Sequence, residues 1–263
     1  MELAAVQVSL PSFAASQLVG YVLVLSRVGG LFVLAPIFSA RLIPTQAKLV
    51  VAGAISFALM PLVTSGVTVP TDISVAPLIL KELLTGLAIA LGLAVVSAGI
   101  QAAASVLDVA IGFSFAELVD PLMQGQSAVI GQFYSLFSVL VFLLIGGDRL
   151  MIQGLVASYR LVPLGTVPSF AQVGGLAEND LVQIALIGME VAAPVLIALG
   201  LVDITLALVA RTVPQINVFI VGLPGKILVG IGAISASLPF ITGHVQDMLQ
   251  QAVYQALIAL RVH

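Results

Sequence analysis

Apolar residues run along this chain in long stretches, interrupted by proline, glycine and isolated charges rather than by polar segments. The stretches 3–26, 49–71, 83–107 and 121–147 contain no charged residue at all. Each exceeds the ~20 residues an α-helix needs to cross a hydrocarbon core of ~30 Å. Apolar runs read against breakers predict about six spans, near 16–38, 46–65, 77–105, 127–147, 181–210 and 216–243. A further helical piece is expected over 245–260. There Val245, Met248, Leu249, Val253, Leu257 and Leu260 recur at helical spacing, and Asp247, Gln250, Gln251 and Gln255 fall opposite. Its polar face carries no basic residue, so it reads as a partner-facing helix rather than a membrane-surface anchor. The longest connections are 64–77 and 161–180, both marked by Pro and Gly.

Composition agrees with the pattern. Apolar residues make up 60% of the chain and charged residues 8%, with a mean hydropathy of +1.23. That balance excludes a soluble globular domain and points to an all-α, polytopic membrane protein whose helices lie among lipids. A β-barrel would show alternating polarity in pieces of ~10 residues, and these runs are continuous. The length suits a single membrane domain over 1–263, with no second soluble domain. No Lys/Arg cluster exists to engage nucleic acid or an anionic lipid surface. Cysteine is absent, which removes disulfides, thiol catalysis and Cys-based metal sites. Glu2 precedes the first run and no basic residue comes before Arg27, so the first segment is expected to be retained rather than cleaved.

Charge placement complicates a simple bundle. Six spans put Arg41, Lys48 and Arg211 on one side, and Lys81, Arg149, Arg160 and Arg261 on the other, close to a tie where a positive-inside bias is expected. Pro36, Pro61, Pro194, Pro214, Pro224 and Pro239 fall within the apolar tracts. They are either ordinary kinks or breaks in helices that line a pore or pack within a larger assembly. Arg27, Asp108, Glu117, Glu190, Asp203, Arg211 and Lys226 lie in or at the ends of hydrophobic runs, where ionisable groups are costly. They either pair structurally, Asp203 with Arg211 for example, or contact something transported. Enzyme signatures are missing: His244 and His263 lack metal-ligand spacing, and "GFSFA" at 112–116 has Ala where a nucleophile elbow needs its second Gly. No cofactor or metal is expected, and no enzymatic activity.

Four strings carry a resemblance across most of the chain. "SRVGGLFVLAPIFSARLIPTQAKLVVAGAIS" (26–56) places Arg27, Gly29, Pro36, Arg41, Pro44 and Lys48 in the order of a first block. "KELLTGLAIALGLAVVSAGIQ" (81–101) matches a second block. "IGFSFAELVDP" (111–121) matches a Gly-x-Ser-Phe-Ala-x-x-x-Asp-Pro loop that ends on Asp120 and Pro121. "ARTVPQINVFIVGLPGKI" (210–227) matches an Arg-x-x-Pro-Gln-x-Asn-x-Phe signature through Arg211, Pro214, Gln215, Asn217 and Phe219. Together these resemble the flagellar biosynthetic protein FliR family. One departure is "GGDRL" (146–150), with Asp148 where that family shows Gly-His, and no role is carried onto it.

The resemblance implies a non-enzymatic subunit of the type III export gate at the flagellar basal body in the bacterial inner membrane. Such a subunit joins FliP-type and FliQ-type subunits in a helical hetero-oligomer, with an FlhB-type subunit attached, and unfolded flagellar proteins pass through as transient substrates. The related virulence systems carry a homologous subunit, and "SFAELVDP" favours the flagellar one. The resemblance places Gly112, Phe113, Ser114 and Phe115 at the pore closure. Arg27, Pro36, Arg41, Pro44, Lys48, Asp120, Pro121, Arg211, Pro214, Gln215, Asn217 and Phe219 become structural or inter-subunit residues. In this reading Pro214 breaks a helix, and Gln215 and Asn217 satisfy freed backbone groups on neighbouring chains. The competing expectation is a stand-alone secondary transporter using Glu190 and Asp203 within Pro-broken helices.

Overall fold

The computed structural model describes residues 15–35, 38, 43–64, 75–113, 129–144, 146–164, 171–215 and 217–259. Pro36, Arg41, Ser114, Phe115, Asp120, Pro121 and Arg261 lie outside the described residues. All regular structure among those described is helical: α1 (Ala15–Leu34), α2 (Thr45–Thr64), α3 (Val75–Ile111), α4 (Val129–Leu144), α5 (Gly147–Leu161), α6 (Ala171–Thr212) and α7 (Val218–Ala259). Five of these are long and apolar enough to cross a membrane, or six spans if α4 and α5 count as one bent span.

Helix α3 is the axis of the bundle, and α1, α4, α6 and α7 all pack on it. Its buried residues, from Leu78 and Glu82 through Ile89, Leu93, Ile100 and Leu107 to Ile111, form a broad face turned to the other helices, while Leu80, Leu84, Val106 and Val109 on the opposite side stay exposed. Its approach to α1 needs two glycines. A Cβ on Gly30 would lie 2.3 Å from the Leu83 carbonyl oxygen, and one on Gly86 would lie 2.0 Å from that of Arg27. The two backbones therefore touch, as small residues allow membrane helices to do.

Three expectations about element boundaries change. The span near 127–147 ends at Leu144. The chain then turns at Gly146, whose φ of 72° sits in the left-handed region that glycine tolerates. It continues as the separate helix α5, at 67° to α4. The connection at 161–180 is shorter than expected, because α6 begins at Ala171. The piece at 245–260 is not a separate helix. It continues α7 through Gly243, and its apolar stripe turns inward rather than toward a partner. Val245, Leu249, Val253 and Ala256 are buried, with Ala252 against Gly92 of α3 and Val253 against Gly154 of α5.

Helix continuity also sorts the prolines. Pro61, Pro194, Pro224 and Pro239 all lie inside continuous helices, so they do not break them. Of the six, Pro214 sits in the break between α6 and α7.

Candidate functional site

Near one end of the bundle, five charged or polar side chains meet, all of them buried. Arg27 of α1 and Glu82 of α3 are both fully buried and share a 2.5 Å bond from Arg27 Nε to Glu82 Oε2. The rest of the guanidinium turns to the end of α5. Nη1 donates to Ser158 Oγ at 3.2 Å and Nη2 to the Val162 carbonyl at 2.9 Å. The Tyr159 ring lies 4.1 Å from Cζ, a cation–π distance. Lys81 Nζ donates to the Pro163 carbonyl at 3.2 Å. It also stands 3.0 Å from Glu82 Oε1, an ion-pair contact without hydrogen-bond geometry. Two cations thus face one carboxylate. The excess positive charge is met by carbonyls at the C-terminus of α5, the negative end of that helix dipole.

This knot exists because of the glycine contact beside it. Gly30 is one turn from Arg27, and Gly86 one turn from Glu82, so the approach of α1 to α3 brings the two side chains within reach. Arg27 was singled out from sequence, but Glu82 was missed. The signal was available: an adjacent Lys-Glu pair at membrane depth needs a partner, and Arg27 is the charge embedded in the neighbouring run.

The second feature is the exit from α3. Gly112 has a φ of 103° and its N–H returns to the Asp108 carbonyl at 3.2 Å, with the Phe113 N–H on the same oxygen at 3.1 Å. Asp108 itself is buried. A Cβ on Gly112 would come 2.6 Å from Leu223 Cδ1 of α7. Both backbone conformation and space therefore demand glycine here. Phe113 packs against the core.

The third feature is the α6–α7 hairpin. Helix α6 ends with Arg211 in its last turn, where a cation suits the helix C-terminus. The Val213 N–H closes on the Val209 carbonyl at 2.9 Å. Pro214 then lies in the turn, having no N–H to continue the ladder. Asn217 begins the return, its Oδ1 accepting from the Ile220 N–H at 3.3 Å in the manner of an N-cap. So Asn217 serves its own helix. Gln215 is exposed, and Phe219 falls in the first turn of α7. Pro44 immediately precedes α2, and its carbonyl accepts the Lys48 N–H at 3.2 Å.

Two polar pairs cross this hairpin. Asp203 pairs with Lys226, Oδ1 to Nζ at 2.8 Å, and Glu190 with His244 at 2.8 Å between Oε2 and Nε2. The expected pairing of Asp203 with Arg211 is therefore wrong. Arg211 lies eight residues further along the same helix, about 12 Å up its axis, whereas Lys226 lies directly across. Among the described residues, no group of three or more His, Asp or Glu is placed to hold a metal.

Residues 18–252 match the family model described as bacterial export proteins, family 1. The chain belongs to that family. This export protein is 32% identical over 212 residues to the flagellar biosynthetic protein FliR of Bacillus subtilis, covering 80% of this chain and 82% of the relative. It is 30% identical over 224 residues to FliR of Aquifex aeolicus, covering 83% and 86%. It is also 28% identical over 214 residues to the surface presentation of antigens protein SpaR of Shigella flexneri, covering 77% and 81%. Four strings in register pointed to the FliR family, and the whole-chain match agrees. With five or six apolar helices able to cross a membrane, this export protein is an integral membrane component of an export apparatus.

Proposed function

We propose that the chain is a non-enzymatic core subunit of the type III protein-export gate, in the inner membrane at the flagellar basal body. With FliP-type and FliQ-type subunits it forms the channel through which unfolded flagellar proteins cross, and an FlhB-type subunit attaches to that assembly. The flagellar assignment is supported by the FliR relatives at 32% and 30% identity.

The observation that carries the assembly is one of length. Helix α3 has 37 residues and α6 and α7 have 42 each, about 55 and 63 Å at 1.5 Å per residue. A 30 Å hydrocarbon core crossed at a 40° tilt takes up only about 39 Å of helix. Roughly 15–25 Å of each helix then lies beyond the hydrocarbon. Yet exposed apolar residues recur along α7 from Ile220 and Leu228 through Phe240 to Tyr254 and Ile258, about 57 Å of helix. Apolar surface outside lipid needs protein to cover it. The half-exposed pairs Asp203–Lys226 and Glu190–His244 argue the same way, since ionisable groups at membrane depth avoid lipid.

Within this reading the 111–121 loop closes the channel between substrates, with Gly112 turning the chain and Phe113, Ser114 and Phe115 in the constriction. Arg211, Pro214, Gln215 and Phe219 meet neighbouring subunits at the hairpin tip, as do Pro36, Arg41, Pro44, Lys48, Asp120 and Pro121 elsewhere. Arg27 holds the chain's own fold. The experiment is recovery of the tagged chain from gently solubilised host membranes. Co-purification of FliP-type and FliQ-type chains in fixed ratio is expected, and a lone monomer or homodimer would overturn the proposal.

A further inference from the structure

Helices α3, α6 and α7 meet around a small cavity of about 40 Å³, room for two or three waters. Short side chains make the space. Gly92 of α3 lies so close to α7 that a Cβ on it would stand 2.9 Å from the Ala252 carbonyl oxygen. One turn on from that contact, Ala88 and Ala256 leave open what longer side chains would fill.

Three polar side chains line this cavity. Asp180 and Gln183 come from α6, three residues apart and so on one face of it, and Gln255 comes from α7. Among the described residues, no Lys, Arg or His lines it, and none of the three polar side chains has a hydrogen bond or ion pair. The contrast with the rest of the hairpin is plain. Glu190 and Asp203, the other two carboxylates that α6 turns to α7, each meet a basic side chain, His244 and Lys226. Asp180 meets two amides instead.

An ionised carboxylate only accepts, and each amide can turn its carbonyl oxygen inward. A half-buried carboxylate without a cation is costly, so a cavity walled by such oxygens suits a positively charged, oxygen-seeking guest. Charge narrows the choice. Calcium sites usually gather several carboxylates, whereas a single one balances a single charge. Access is available too. Asp180 opens the apolar span of α6, and Gln255 falls in the last turn of that of α7, so the cavity lies where both spans end. Gln183 and Gln255 are exposed and form its mouth.

We propose that Asp180, Gln183 and Gln255 form a binding site for a small monovalent cation, held together with one or two of its waters. Asp180 supplies the charge and the two amides supply neutral oxygens. The bound ion links α6 to α7 beside α3, as the pairs at Glu190 and Asp203 link them further along the hairpin. The site stands whether or not the chain works as an export gate.

Thermal unfolding of the purified full chain in detergent tests it, with lithium, sodium or potassium chloride compared against choline chloride at equal ionic strength and fixed pH. At least one small cation is expected to raise the midpoint, with a rise that grows as the logarithm of its concentration. An ion present at about 100 times its dissociation constant raises the folded-to-unfolded ratio about 100-fold. Asp180→Asn removes the charge, and Ala88→Leu fills the cavity without touching a polar group. Both should abolish the dependence, while Asp203→Asn, outside the cavity, should keep it. Equal midpoints in all four salts would overturn the proposal, as would an undiminished cation effect in Asp180→Asn and Ala88→Leu. If acid stabilises the native chain and no cation does, the carboxyl takes up a proton and the cation site is likewise overturned.

Discussion

Replacing Glu82 by Gln leaves Arg27 and Lys81 buried with no anion between them, and the structure sets the size of the effect. Arg27 loses its shortest bond, the 2.5 Å contact to Oε2, and Lys81 loses the carboxylate at 3.0 Å. What remains is dipolar: the carbonyls of Val162 and Pro163 and the Ser158 hydroxyl. Removing one partner of a buried pair typically costs about 3–5 kcal/mol, because the other charge stays desolvated. Both members here are fully buried, so the upper half of that range applies. At 1.36 kcal/mol per decade the folded-to-unfolded ratio falls by about three to four orders of magnitude. The assay is denaturant unfolding of the purified full chain in detergent, run as a double-mutant cycle with Arg27→Met. The two substitutions are expected to be strongly non-additive, the double variant recovering part of the loss because one uncompensated cation has gone. Additive effects, or a Glu82→Gln loss below about 1 kcal/mol, would refute the placement of this pair as the electrostatic centre of the bundle.

Other substitutions separate neighbouring claims. Gly86→Ala drives a methyl into the Arg27 carbonyl at 2.0 Å and should cost about 3 kcal/mol or more, read as loss of protease-resistant chain. Gly29→Ala meets nothing within 4 Å and should retain resistance. Asp203→Asn removes an ion pair whose carboxylate is 56% exposed, so the same unfolding curve should move by less than about 1 kcal/mol. Asn217→Ala removes the N-cap of α7 and should cost about 1 kcal/mol, seen as faster amide exchange confined to the residues after 217.

Much of the fold was legible because membrane helices announce themselves by unbroken apolarity, and the tracts that became α1, α2, α3 and α6 were each found that way. The elements that were misjudged share a physical cause. Helix α5 carries Asp148, Arg149 and Arg160, so no apolar run marks it, and a single Gly146 turn separates it from α4. The 245–260 stripe was seen correctly as amphipathic. Sequence periodicity shows that a face is apolar but not what it meets, and here it met the chain's own α3 and α5. For proline the sequence left kink and break open, and Pro194, Pro224 and Pro239 remain within continuous helices. For the charged residues, spacing along one helix suggested Asp203 with Arg211, while the actual partner, Lys226, came from across the hairpin. Pairing across a tight antiparallel turn depends on register, which the break at 213–217 sets and composition does not reveal.

The length of α3, α6 and α7 has a bearing on the life of the chain before it meets its neighbours. A newly inserted copy displays tall apolar walls for which the bilayer has no matching depth. Until other subunits cover them, those walls are open to aggregation and to quality-control proteases. An orphan copy should therefore be short-lived, and its half-life should lengthen in proportion to the supply of its companions. Abundance of this protein would then be set by the scarcest partner rather than by its own rate of synthesis.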